Sequence, residues 1–265
     1  MSAYRSFDYR VEDGVATVTF ARPDTLNSLT FEVYAELERL ALECQTDQAV
    51  RALVLAGTGK GFCSGGDVHE IIGELFKRDV KGVLQFTRMT GAVVRSLRLL
   101  EKPVVASVNG IAAGAGAVLA GAADIRVLAQ SASFRFLFTS VGLSGGDMGI
   151  CWLLPRIVGF GRATEALLLG GKITAEEALA WGLASRVVAD EQLDAAVAEY
   201  ATRLKELAPW GLAMTKEMIN RGGSTDYSTA IETEAFTQTM LMTAEDFREF
   251  HAGFTGKRKP DYRGR

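Results

Sequence analysis

Two short runs of small residues are places where the backbone itself could do chemistry. The first is Gly61-Phe-Cys-Ser-Gly-Gly-Asp67, and the second is Val108-Asn-Gly-Ile-Ala-Ala-Gly-Ala-Gly-Ala117. Each follows an apolar stretch that reads as a buried strand, and each leads into a helical pattern. N–H groups at a strand end or a helix start have no partner inside their own element. The helix dipole adds to their attraction for negative charge. Two such groups converging on one oxygen would form an oxyanion hole, often the largest catalytic term an enzyme has. Side chains must be small there, because larger ones would block the substrate. A Gly-Gly-Asp turn or a Gly/Ala-rich helix start also serves tight packing alone, and composition leaves that reading open. A phosphate cradle has less support, since there is no Gly-Lys-Ser/Thr and no GxGxxG after the first strand.

Few side chains accompany these runs as candidates for proton transfer. Asp147 lies in Val141-Gly-Leu-Ser-Gly-Gly-Asp-Met-Gly149. Beside apolar Phe136, Phe138 and Leu143 its pKa would rise by desolvation, which suits a carboxylate to proton transfer near neutral pH. The competing reading is an Asp that caps a helix starting at Met148 or Gly149. His69 and Glu74 sit on the helix after the first run, where an exposed face is the simpler expectation for His69. Cys63 has no evident base to activate it and reads as packing. Glu165 and Asp67 read as structural, the second tying its own loop. Alternating Phe134, Phe136 and Phe138 hint at a compact or aromatic pocket, although period two more often marks strand core.

The elements that must position these residues fall into two regimes. Phe7–Val11 and Val15–Phe20 flank Glu12-Asp13-Gly14, a hairpin signal because Asp-Gly accepts the positive φ such turns need. A helix is predicted from Leu29 to Cys44, with Ser28 or Thr30 as N-cap. Buried strands follow at 51–56, 104–108 and 125–129, with a long helix at 80–100 that ends before Lys102-Pro103. This alternation implies sheets covered by helices. From Gly149 onward the pattern is mostly helical, with one strand-like stretch at 184–189. Thr174-Ala-Glu-Glu177 reads as a capping box. One α/β core with a helical C-terminal region is the simplest organisation.

Composition excludes several classes. The 265 residues carry a net charge of −3, with 23% charged and 48% hydrophobic residues, so no basic footprint points to nucleic acid. The run Lys257–Lys259, with Arg263 and Arg265, reads as a solvated tail, or else as a patch that meets phosphates. Three cysteines without CxxC spacing predict neither a disulfide framework nor a metal site. The polar N-terminus has no signal-peptide core, and no apolar run is long enough to span a bilayer. A reducing cytoplasm is the expected location.

Taken in order, the motifs resemble the crotonase superfamily, the enoyl-CoA hydratase/isomerase proteins. The resemblance covers nearly the whole chain. It rests on Arg22-Pro-Asp-Thr-Leu-Asn-Ser28, on 61–67, on Lys102-Pro-Val-Val-Ala-Ser-Val-Asn-Gly110 and on Ala123-Asp124. It continues through Leu153-Leu-Pro-Arg-Ile-Val-Gly159 and Thr174–Leu183. It implies a crotonase-like α/β spiral of ββα units over 1–190 and a helical trimerisation region over 191–265, in a homotrimer or dimer of trimers. The substrate implied is an acyl-CoA thioester. No cofactor is expected, because coenzyme A is part of that substrate.

Carried over residue by residue, the first oxyanion donor falls on Gly66 and the second on Ala115, where Ala in place of the usual Gly still supplies a backbone N–H. Contacts to substrate or coenzyme A are expected from Asn27, Phe62, Ser64, Gly65, Asp67, His69, Gly114, Phe138 and Leu143. The two glutamates of the common hydratases fall on Val118 and Phe138, so the usual hydration mechanism does not carry over. Members that isomerise dienoyl or ring-bearing CoA esters, and the naphthoate synthases, resemble this chain in carrying Asp in the Asp147 loop, with a one-residue gap. The leading expectation is a hydratase-type reaction through a stabilised thioester enolate. The alternatives are a double-bond isomerase using Asp147 as its single acid/base, or an acyl-CoA-binding member without catalysis.

Overall fold

The order of strands follows from which segments are apolar on both faces. In a computed structural model describing residues 4–265, the chain opens with β1 (Asp8–Glu12) and β2 (Val15–Phe20), an antiparallel hairpin. Residues 1–3, the start of the polar N-terminal stretch, lie outside the described residues. Asp13 and Gly14 turn the hairpin with φ of 49° and 80°, as the Asp-Gly signal requires. Helix α1 (Phe31–Thr46) starts at Thr30, whose hydroxyl accepts from Val33 N–H. Strands β3 (Ala52–Gly57) and β4 (Gly61–Cys63) lead to the short α2 (Gly73–Leu75) and to α3 (Val80–Leu99). Strands β5 (Val104–Val108) and β6 (Ile111–Ala113) lead to α4 (Ala115–Ala122), and β7 (Ile125–Ala129) runs on to β8 (Ser133–Arg135).

Helices α5 (Ile150–Val158) and α6 (Phe160–Leu169) follow, then β9 (Lys172–Thr174), α7 (Ala175–Ala180) and β10 (Arg186–Val188). Helices α8 (Leu193–Lys205), α9 (Pro209–Gly222), α10 (Tyr227–Thr243) and α11 (Glu245–Thr255) complete the chain. The capping box at Thr174 and Glu177 forms at the start of α7.

Two sheets result, one of six strands in the order β1-β2-β3-β5-β7-β10 and one of four in the order β4-β6-β8-β9. Each turn of the spiral places one strand in the large sheet and the next in the small one, as with β3 to β4, β5 to β6 and β7 to β8. The small sheet corrects the sequence reading at β4, β6 and β9, which fell in loops or helix starts, while alternating Phe134 and Phe136 already pointed to strand core at β8. Its strands are three residues each, too short to hold a period-two pattern of their own. All eight residues of α4 are buried, which fits a helix that is apolar all round.

Within the C-terminal region α8 buries Leu193, Ala196, Val197 and Ala201 in the core. Lys216 of α9 reaches the half-buried carboxylate of Asp124 at 2.7 Å, and Arg98 holds the same group at 3.1 Å. No helix among the described residues is long and apolar enough to cross a membrane. The basic tail is folded back on its own chain. Arg258 pairs with Glu249, Lys259 with Glu206, Arg263 with Asp261 and Arg265 with Glu245, while Asp246 accepts from Arg263 and Gly264 N–H at 2.8 and 2.9 Å. These four charges thus have carboxylate partners on their own chain, as a solvated tail would.

Candidate active site

The ends of β4 and β6 meet backbone to backbone, and glycine is what lets them. A Cβ on Gly65 would lie 3.0 Å from the Ala113 carbonyl oxygen and 3.3 Å from the Ala115 nitrogen. Gly65 has φ +99°, and Gly114 has φ +51° with ψ −125°, conformations that a side chain rarely adopts. A Cβ on Gly116 would sit 2.2 Å from the Cys63 carbonyl oxygen. The two small-residue runs are therefore one structure.

That contact leaves two donors free. Leu29 N–H donates to Gly65 O and Asp67 N–H to Leu29 O, both at 2.8 Å, so the bridge to Leu29 passes over Gly66. Gly66 N–H has no acceptor among the described residues. Ala115 is the first residue of α4, where a helical N–H has no internal partner. Gly114 N–H is taken by Arg135 O at 2.9 Å, which fixes the peptide just before it.

The residues around this floor mostly hold it in place. Asp67 is buried, and its carboxylate accepts from Glu70 and His69 N–H at 3.0 Å and from the Ser28 hydroxyl at 2.8 Å. These bonds, led by the one from Glu70 N–H, hold its pKa below the usual carboxylate value. Asn27 accepts from Arg22 N–H and donates to Thr58 O and Gly61 O, and it is 1% exposed. Phe62 is fully buried, edge-on to Phe20. The Asn27 and Phe62 side chains are sealed in the core and position the loop that the sequence reading expects to hold the ligand. Ser64 gives its hydroxyl to Thr25 O at 3.0 Å. His69 is exposed. Burial pushes the Cys63 thiol up to about 12, so it is a packing group and not a nucleophile.

Val118 and Phe138, at the two glutamate positions of the common hydratases, are buried side chains that cannot carry protons. Phe134 and Phe136 are wholly buried and stack at 6.5 Å, which makes them core and removes the hint of an aromatic pocket. Asp147 follows a 3-10 turn at Leu137–Val141 and precedes α5. It is half-buried, and burial raises its pKa against the opposing pull of Met148 N–H, which donates to Oδ1 at 2.8 Å. The N-cap of α5 is Gly149, with no side-chain cap, so Asp147 does not cap that helix. Met148, at φ +51°, and Gly149, at φ +88°, turn the chain there. Leu143 is 62% exposed on the same loop.

The sequence reading passed over Tyr34. It is 2% exposed on α1, and its titration is raised by burial and by the nearness of Cys63 and Asp147. One side chain thus sits within electrostatic reach of both the glycine floor and the Asp147 loop. A tyrosine among Val33, Leu37 and Leu40 looks like core, and no spacing rule separates it from core.

Known proteins share this arrangement of chain. A family profile described as enoyl-CoA hydratase/isomerase matches residues 10–265. The 1,2-epoxyphenylacetyl-CoA isomerase of Escherichia coli K12 is 37% identical over 262 residues, spanning 96% of this chain and 97% of that protein. A Mycobacterium tuberculosis H37Rv protein named as a probable enoyl-CoA hydratase, EchA12, is 40% identical over 217 residues, 78% of this chain and 74% of its own. A solved structure from Streptomyces coelicolor A3(2), provisionally named an enoyl-CoA hydratase, superposes with a TM-score of 0.97 at 51% identity, covering 100% of this chain and 96% of its own.

Proposed function

The chain belongs to the enoyl-CoA hydratase/isomerase family, and from that premise we propose that it moves a single proton on an acyl-CoA thioester, as an enoyl-CoA isomerase does. In this reading the thioester oxygen is held by Gly66 and Ala115 N–H, and Asp147 removes a proton from the α-carbon and returns it further along the chain. The carrying observation is that Asp147 is a half-buried carboxylate with a raised pKa, in a site whose two other acid positions are Val118 and Phe138. Stabilising the enolate makes the α-proton removable, and one carboxylate can deliver the proton it took. The isomerase name of the Escherichia coli relative supports the same reaction class.

A hydratase is the second reading, favoured by the names of the Mycobacterium and Streptomyces relatives. It requires a further group to orient water. The assembly is proposed as a trimer or dimer of trimers. In its support, α11 exposes Phe247, Phe250 and Phe254, whose successive ring centroids lie 6.2 and 6.1 Å apart, a patch suited to burial between copies. Sedimentation of the purified protein tests it.

The reaction is tested by incubating wild type and Asp147→Asn with enoyl-CoA esters in heavy water and following mass. Conversion at unchanged mass apart from deuterium, lost in the variant, supports the isomerase. A gain of one water moves the assignment to hydration. Binding without exchange or conversion would leave an acyl-CoA-binding protein.

A further inference from the structure

Tyr34 carries a polar atom that the protein does not use. Its ring is packed edge-on against Phe86 at 6.1 Å, and Phe86 is itself edge-on to Phe31 at 5.3 Å. Its helix is tied to the glycine floor just upstream, where Leu29 N–H donates to Gly65 O. Backbone and ring are therefore fixed. The hydroxyl nevertheless has no hydrogen-bond partner among the described residues. Among the described residues the wholly sealed side-chain polar atoms without a partner are Ser6 Oγ, Arg98 Nε and Asn109 Oδ1, so the Tyr34 oxygen, though buried, is not wholly sealed. A buried tyrosine hydroxyl ordinarily finds a partner, and one left without a partner is costly. Its raised pKa, set by burial and then by Cys63 and Asp147, keeps it a neutral O–H donor throughout the working range.

We infer that the Tyr34 hydroxyl recognises an oxygen on the acyl chain, so that the site selects acyl-CoA thioesters bearing a hydroxyl, carbonyl or epoxide oxygen near the reacting carbons. The orphan donor is near enough to Cys63, beside the floor that would hold the thioester, and to Asp147, which would move the proton, for both to act on it. An oxygen carried by the substrate's first carbons satisfies it, and a plain hydrocarbon chain leaves it unmet. This inference rests on the proton-transfer reading of Asp147 for its kinetic consequence, though not for its effect on affinity.

Tyr34→Phe removes only the unpartnered oxygen and keeps the ring packing. Calorimetry with the full-length protein would compare 3-hydroxybutanoyl-CoA with butanoyl-CoA, and α-proton exchange of both in heavy water would follow. Wild type is expected to favour the oxygenated ester about tenfold to a hundredfold, the range for a hydrogen bond to a built donor. Tyr34→Phe is expected to erase that preference while leaving butanoyl-CoA within about twofold, since no bond to that ester is lost. Wild type with no preference, or a variant that loses both esters equally, overturns the inference. Asp147→Asn measured alongside separates the two ideas. If it exchanges both esters as wild type does, the proton-transfer reading has failed, while the affinity ratio still decides the role of Tyr34.

Discussion

The glycine floor and the Asp147 loop are built on opposite terms. At the floor, residues 65, 110 and 116 leave no room for a Cβ, which would meet backbone at 3.0, 2.1 and 2.2 Å. On the loop, the two ends are open: Gly142 and Gly149 have nothing within 4 Å of a built Cβ, and Val141 and Leu143 are exposed, while a Cβ on Gly145 between them would meet Leu167 O at 2.4 Å. The floor's working groups are backbone N–H, whose direction is fixed once the strands are paired. The loop's working group is a side chain, whose position depends on two residues at positive φ. The lesson is that the half proposed to hold the thioester is specified by strand pairing, while the half proposed to move the proton is specified by one short segment, anchored at Gly145 and open at its ends.

The strongest way to break this comparison is Gly116→Ala. Its methyl would be driven into the Cys63 carbonyl, so strands and helix must separate. We expect a loss of about 3 kcal/mol or more, the upper range of overpacking effects, with activity abolished; thermal unfolding and turnover measure both. A variant as stable as wild type would show that the floor has slack it should not have.

Asp147→Asn addresses the other half. Turnover should fall by about 10²- to 10⁴-fold, the usual contribution of a general acid/base, with folding intact. The pH dependence has a definite sign. Because burial raises the folded pKa of Asp147, ionising it disfavours the folded state. The stabilising effect of its bound proton is present below the unfolded pKa and lost as pH rises through the folded one. Asp147→Asn should therefore match wild type in strong acid and be at least as stable at neutral pH. The acid limb of wild-type kcat/KM should lie above the ordinary Asp value of 3.8. An Asn variant less stable at pH 7 than at pH 3, relative to wild type, would contradict this.

The same contrast explains what could be read in advance. Asp13-Gly14 and the Thr174–Glu177 box declared themselves because local chemistry fixes them. Gly66 and Ala115 were singled out by ordered motifs whose spacing follows the strand ends, and their role as donors is the proposal above. The small sheet was mostly illegible because three-residue strands acquire meaning only when paired across the chain. Asn27 and Phe62 were assigned to the ligand because a motif gives position along the chain and not the direction of a side chain. The tail's charges were read alone because their partners, Glu206 and Glu249 among them, are brought there by folding.

The smallest expected effect is also the sharpest control. Gly142 ends the 3-10 turn before Asp147 in a left-handed conformation at φ +80°, with open space where a Cβ would go. Gly142→Ala therefore meets conformational strain but no clash, at about 1 kcal/mol, a shift of a few degrees in Tm for a chain of this size. Turnover should stay within about tenfold, the equivalent of that strain if all of it reached the transition state. The comparison with Gly116→Ala is direct, because both replace glycine by alanine near the same site. If Gly142→Ala instead costs as much as Gly116→Ala, the loop is packed against something that fills this space, and the apparent freedom of the proton-moving half ends there.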